Sequence, residues 1–123
     1  MRHLAFALAL LATPALADED RFVASNTFAT FYHELAHALV DIMELPIFGQ
    51  EEDAADVLSV LLIHDLYEEE AAAGIIYDAA FGFLGESQEN EPALWDVHGP
   101  DLQRYYTMIC LFYGANQIGR AHV

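Results

Sequence analysis

His33-Glu34-Leu35-Ala36-His37 is an H-E-x-x-H step. At about 3.6 residues per turn, helix positions four apart sit roughly 40° apart around the axis, so both imidazoles face one way and can reach a single metal ion at about 2.0–2.1 Å. Glu34 directly follows the first histidine, where this pattern carries the general base of a zinc hydrolase. The residues around the step are strongly apolar, and two imidazoles buried there without a partner would be costly. A zinc hydrolase also needs a third protein ligand and an open position for water. Glu51-Glu52-Asp53-Ala54-Ala55-Asp56 offers one, with Glu52 as the third ligand. Asp56 lies four residues on and shares its face, so it can accept a hydrogen bond from the far nitrogen of a ligand histidine and fix its tautomer. Glu51 and Asp53 read as charges that merely complement a helix dipole.

The elements that must hold these groups are helical. Apolar residues at Phe22, Val23, Phe28, Phe31, Tyr32, Leu35, Leu39, Val40, Ile42 and Met43 predict a helix from Arg21 to about Glu44, free of Gly and Pro. Leu45-Pro46-Ile47-Phe48-Gly49 breaks it and folds the next helix back beside it. That helix begins near Gln50-Glu51-Glu52-Asp53, whose acids suit the positive end of its dipole, and runs to Leu66. A third covers about Ala71 to Leu84, weakened by Gly74 and Gly82. Gly85 to Pro100 reads as a loop, and a last helix spans about Asp101 to Tyr113. No stretch alternates long enough for a strand, so the fold class is all-α.

Composition narrows the function classes. The chain has 123 residues, 55% hydrophobic, with 4 Lys+Arg against 20 Asp+Glu and a formal net charge of −16. That length allows one domain, and a chain this apolar is not intrinsically disordered. The basic residues are Arg2, Arg21, Arg104 and Arg120, too few and too scattered to neutralise a run of phosphates, so no nucleic-acid partner is expected. The same acidity disfavours docking on an anionic membrane. Cys110 is the single cysteine, which excludes a disulfide within the chain. It is either a thiol awaiting a partner outside this sequence or a small apolar residue packed inside.

Both ends call for separate treatment. Arg2 and His3, then the apolar Leu4 to Leu11, then Ala15-Leu16-Ala17 followed by Asp18-Glu19-Asp20, read as a secretory signal peptide over residues 1–17. The apolar run is too short to span a bilayer. Export follows, in a bacterium to the periplasm or beyond, with no membrane span in the mature chain. Ile118-Gly-Arg-Ala-His-Val123 is what ATC GGA AGA GCA CAC GTC encodes, the start of a widely used sequencing adapter. Residues 117–123 are therefore expected to be read-through, with the domain at 18–116 truncated at its C-terminus; Arg120 and His122 carry no functional weight.

H-E-x-x-H followed by E-x-x-A-D resembles the glutamate-type zincins, or gluzincins. More closely, FYHELAHALVDIMELPIFGQEEDAAD, the segment Trp95-Asp-Val-His-Gly-Pro-Asp-Leu-Gln-Arg-Tyr-Tyr106 and Cys110-Leu-Phe-Tyr-Gly114 resemble the bacterial family of putative metallopeptidases, over nearly all of Arg21 to Gly114. The resemblance implies a zincin-like core, with the H-E-x-x-H helix packed on the E-x-x-x-D helix. It also implies His33, His37 and Glu52 as ligands of one Zn2+ ion, Glu34 as base and Asp56 as the orienting carboxylate. His98 and Arg104 are six apart, as in the HtpX-type motif, but here Gly99 is inserted before Pro100. Near a metal they could act catalytically by stabilising the oxyanion of a tetrahedral intermediate. Alternatively, Arg104 pairs with a carboxylate and His98 caps a loop. Trp95, Tyr105 and Tyr106 are expected in the core, and His64 is a lone structural histidine.

The function expected is zinc-dependent hydrolysis of a peptide or protein substrate: a metal-activated water attacks the carbonyl, and Glu34 passes the proton to the leaving amine. The alternative is a non-catalytic zinc-binding or interaction module of the cell envelope on the same scaffold. It is favoured by the lack of a β-sheet before the motif helix, since zincins bind substrate along such an edge. A cleft would then have to come from the 85–100 loop, a missing tail or a partner. Glu34-x-x-His37 is also an element of dinuclear carboxylate bundles, but the required second Glu-x-x-His is absent from the chain.

Overall fold

The computed structural model describes the backbone of residues 2–120 and the side chains of residues 18–116. It has four helices, α1 (Arg2–Ile42), α2 (Glu51–Leu66), α3 (Glu69–Glu89) and α4 (Asp101–Arg120), and no strand among the described residues. The expected all-α class is what is found. The leader read at residues 1–17 and the read-through read at 117–123 fall on side chains outside those described.

The turn after α1 explains why α2 returns beside it. Glu44 adopts a left-handed backbone (φ 50°), the N–H of Leu45 reaches back to the carbonyl of Val40 at 3.0 Å, and that of Glu44 to Asp41 at 3.3 Å. These bonds satisfy the last carbonyls of the helix, and Pro46 then prevents its continuation. Gly49 takes a φ of 121°, which a side chain would resist, and α2 starts two residues later with Glu51, Glu52 and Asp53 in its first turn. Tyr67 and Glu68 form the joint between α2 and α3, and Glu69 and Glu70 lie in the first turn of α3.

α1 packs on α2 and α3, and α4 closes the bundle against α3 and α2. The core is Val60 and Ile63 of α2, Ala72, Ile75, Ile76, Ala79 and Ala80 of α3, and Met108 and Phe112 of α4, with Ala29 and Tyr32 of α1 packed against it. Small residues let α3 approach α1 closely. A Cβ on Gly82 would sit 2.9 Å from Asn26 Oδ1. Asn26 Nδ2 donates to the carbonyl of Phe22 at 2.9 Å, and Arg21 pairs with Asp78 of α3 at 2.9 Å. No helix among the described residues is long and apolar enough to cross a membrane.

Several sequence expectations are corrected. α3 runs through Gly85 to Glu89, because one helical glycine costs only about 1 kcal/mol and does not by itself end a helix. The loop is therefore 90–100, and α4 continues past Tyr113 to Arg120. Trp95 is 87% exposed on that loop and Tyr106 is exposed on α4; only Tyr105 is half-buried against the core. Cys110 is exposed, so it is not the buried packing residue considered above.

Ile76 is fully buried, whereas Phe48 in the α1–α2 turn is fully exposed. Ile76→Ala is expected to cost about 2–5 kcal/mol in chemical denaturation, and Phe48→Ala less than about 0.5 kcal/mol.

Candidate metal centre

The α1–α2 pairing sets the two motifs face to face. His33 and His37, one turn apart on α1, direct their Nε2 atoms at the same oxygen, Glu52 Oε2, at 3.1 and 3.2 Å. Their own Nε2 atoms are 3.2 Å apart. His98 joins them from the 90–100 loop, its Nε2 at 3.0 Å from that oxygen. One donor atom from each of His33, Glu52 and His98 lies within 4.8 Å of the other two, a group able to hold a metal ion. His33 is buried, while Glu52, His37 and His98 are half-buried.

The far side of each ring is held by its own carboxylate. Nδ1 of His33 is 2.9 Å from Asp56 Oδ1, that of His37 is 2.8 Å from Glu51 Oε1, and that of His98 is 3.0 Å from Asp96 Oδ1. An ionised carboxylate can only accept, so each Nδ1 carries the proton and, in a neutral ring, leaves the Nε2 lone pair facing inward. Three imidazole lone pairs and a carboxylate oxygen then meet at about 3 Å. A cation among these atoms would hold that arrangement, as would a proton on an Nε2 that donates to Glu52. Ligands about 2.0–2.1 Å from one tetrahedral ion stand roughly 3.3 Å apart, close to the spacings seen here. The donor set thus fits a divalent metal in size and chemistry.

Asp56 links the centre to the core. Arg104 of α4 grips it with both ends of its guanidinium, Nε to Oδ2 and a terminal nitrogen to Oδ1, each at 2.8 Å. The guanidinium also lies 4.0 Å over the ring of Phe83. Burial pushes the Asp56 carboxyl up, but hydrogen bonds from Arg104 and His33 outweigh it and bring its pKa down to about 2. For Arg104, burial acts against the charge and the bond to Asp56 overrides it, raising its pKa. The hydrogen bond to Glu51 raises His37 above the ordinary histidine value, against the opposing effect of burial. Asp96 is lowered by the backbone N–H of His98 and then by its ring.

Of the residues singled out from sequence, His33, His37 and His98 therefore meet on Glu52, with Asp56 behind the His33 ring. Arg104 is one residue removed, spent on Asp56 in the carboxylate pairing considered above. Glu34 is exposed on the flank of the α1 stripe and makes none of the cluster's hydrogen bonds. His64 stands apart, its Nε2 3.3 Å from Asn116 Oδ1. Sequence reasoning gave no site role to Glu51 or Asp96. The usable signal for Asp96 was its place two residues before a histidine. Glu51 looked like an ordinary helix-start acid, and only the angle at which α2 meets α1 selects it.

Two depressions flank the cluster. An open groove of about 560 Å³ runs beside His37, lined by Val40, Asp41, Glu44 and Glu51. A smaller one of about 250 Å³ lies beside His98, along the 90–100 loop and the start of α4.

The sequence profile of the family described as putative metallopeptidase matches residues 9–123, nearly the whole chain, and the protein belongs to that family. No curated protein and no solved structure matches the chain significantly.

The Asp56–Arg104 pair is largely buried on both sides. Removing one partner strands the other, so Asp56→Ala is expected to cost about 3–5 kcal/mol. In a double-mutant cycle with Arg104→Met, the two changes together should cost less than their sum by roughly 0.5–3 kcal/mol, read from denaturation curves.

Proposed function

We propose that the protein is a zinc-dependent peptide hydrolase in which His33, His37 and Glu52 hold one Zn2+ ion and Glu34 is the general base. The observation that carries this reading is the meeting of inward-facing imidazole nitrogens on Glu52 Oε2, each ring braced by a carboxylate on its other side. Membership of a metallopeptidase family supports a peptide as the substrate. The export reading of residues 1–17 goes with action in the periplasm or outside the cell.

Zinc bound there would polarise a carbonyl and lower the pKa of water to about 7. The chain's own residues do the rest. Glu34, exposed on the helix face next to His33, takes a proton from the attacking water and returns it to the leaving amine. Asp56 and Glu51 hold the ligand rings in the tautomer that presents Nε2. Arg104 acts at one remove as a positioning residue, since both of its bonds go to Asp56. His98 would stabilise a developing oxyanion only with a proton on Nε2 as well, since its Nδ1–H is held by Asp96. The groove beside His37 and the depression beside His98 are where a peptide would lie in this reading. The zincin-like arrangement implied by the resemblance belongs to this reading and goes with the packing of α1 on α2.

A second reading, a zinc-binding module without catalysis, is favoured by one observation: no strand exists among the described residues to hold a peptide by its edge. The variant Glu34→Gln separates the two. If the protein is a peptidase, hydrolysis of a quenched peptide library falls by about 10²–10⁴-fold while bound zinc is unchanged. Activity equal in wild type and Glu34→Gln would remove Glu34 from the chemistry, and none in either would favour the binding module.

A further inference from the structure

The expected zinc site has three protein ligands and leaves the fourth position to water, yet a third imidazole, that of His98, also reaches Glu52 Oε2 and forms with His33 and Glu52 a group able to hold a metal ion. The His98 Nε2 is 3.0 Å from Glu52 Oε2, as close as the Nε2 of either motif histidine. Its ring is aimed by two bonds to one atom: Asp96 Oδ1 accepts both the His98 Nδ1–H and the His98 backbone N–H, each at 3.0 Å. That pairing turns the Nε2 lone pair toward the centre by the same device that orients His33 and His37. The ring also lies beside that of His33, with centroids 6.0 Å apart and planes tilted by 32°.

Resting on the metal-centre reading above, we propose that His98 is a fourth protein ligand, positioned by Asp96, and that it closes the centre when no substrate is bound. Four protein ligands complete a tetrahedron, which is the pattern of a closed zinc site; catalysis needs a vacated position or an expanded shell. His98 is the ligand suited to leave. It sits on the 90–100 loop rather than on a helix, and its side chain is 39% exposed against 11% for His33. It also lies at the edge of the polar depression formed by that loop. A peptide entering there would meet His98 before it met the centre. Displacement of His98 opens the coordination position and leaves its imidazole next to the carbonyl that takes its place.

The test is made on the purified full chain loaded with zinc, without any activity assay. X-ray absorption at the zinc edge counts the imidazole ligands, and competition with a chromophoric chelator gives the zinc affinity. The wild type is expected to show three imidazoles. His98→Ala should show two, with affinity lower by at least tenfold, and Asp96→Asn should weaken binding by about tenfold with His98 still present. His98 is in an exposed loop, and far-UV circular dichroism checks that each variant keeps the helical fold. Two imidazoles in the wild type, with the affinity of His98→Ala unchanged, would overturn the fourth-ligand assignment and leave the three-ligand peptidase reading standing. A wild-type chain that folds but binds no zinc would overturn both.

Discussion

Glu52 Oε2 is the point around which the protein is arranged. Three imidazole nitrogens come within 3.0–3.2 Å of it, from two elements other than its own. Each approaching ring is also fixed from behind. Glu51, Asp56 and Asp96 provide that fixation, one carboxylate for each ring. The strong acidity of the chain, read from composition alone as a bar to nucleic-acid binding, therefore has a local role. Four of its carboxylates build the centre or its frame.

The helices can be understood as the means of bringing those groups to one place. The left-handed Glu44 and the following Pro46 end α1 and send α2 back along it, so that a motif on each faces the other. The core then fixes the angle. Asp56 is tied to α4 through Arg104, and Arg104 rests on Phe83 of α3, so the tautomer of His33 is connected to the packing of all four helices. A change in the core that shifts α4 would be felt at the cluster through this bond, by moving the carboxylate that orients the most buried of its histidines.

What the sequence revealed and what it hid follow from the range of the interactions. H-E-x-x-H and the Glu52/Asp56 pair are local spacings on single helices, and helix geometry alone sets the side chains of each on one face. The break at Leu45–Gly49 is also local chemistry, and it was legible. His98 was visible as a candidate, but its place opposite Glu52 depends on how the 90–100 loop returns to α2, which no periodicity encodes. Glu51 illustrates the same limit: its charge suits a helix start whether or not His37 stands opposite. The reach of α3 to Glu89 was missed because glycine weakens a helix without ending it when tertiary packing holds the turn. Trp95 was expected in the core and lies on the surface, in a loop whose course the core does not set.

The central claim is that this cluster is a metal centre, and elemental analysis of the purified chain tests it most directly, alongside His33→Ala and Glu52→Gln. The account predicts one zinc per chain in the wild type, with zinc lost or sharply reduced in both variants while their helical content is kept. A well-folded wild-type chain with no stoichiometric metal, or zinc retained undiminished in both variants, would contradict it.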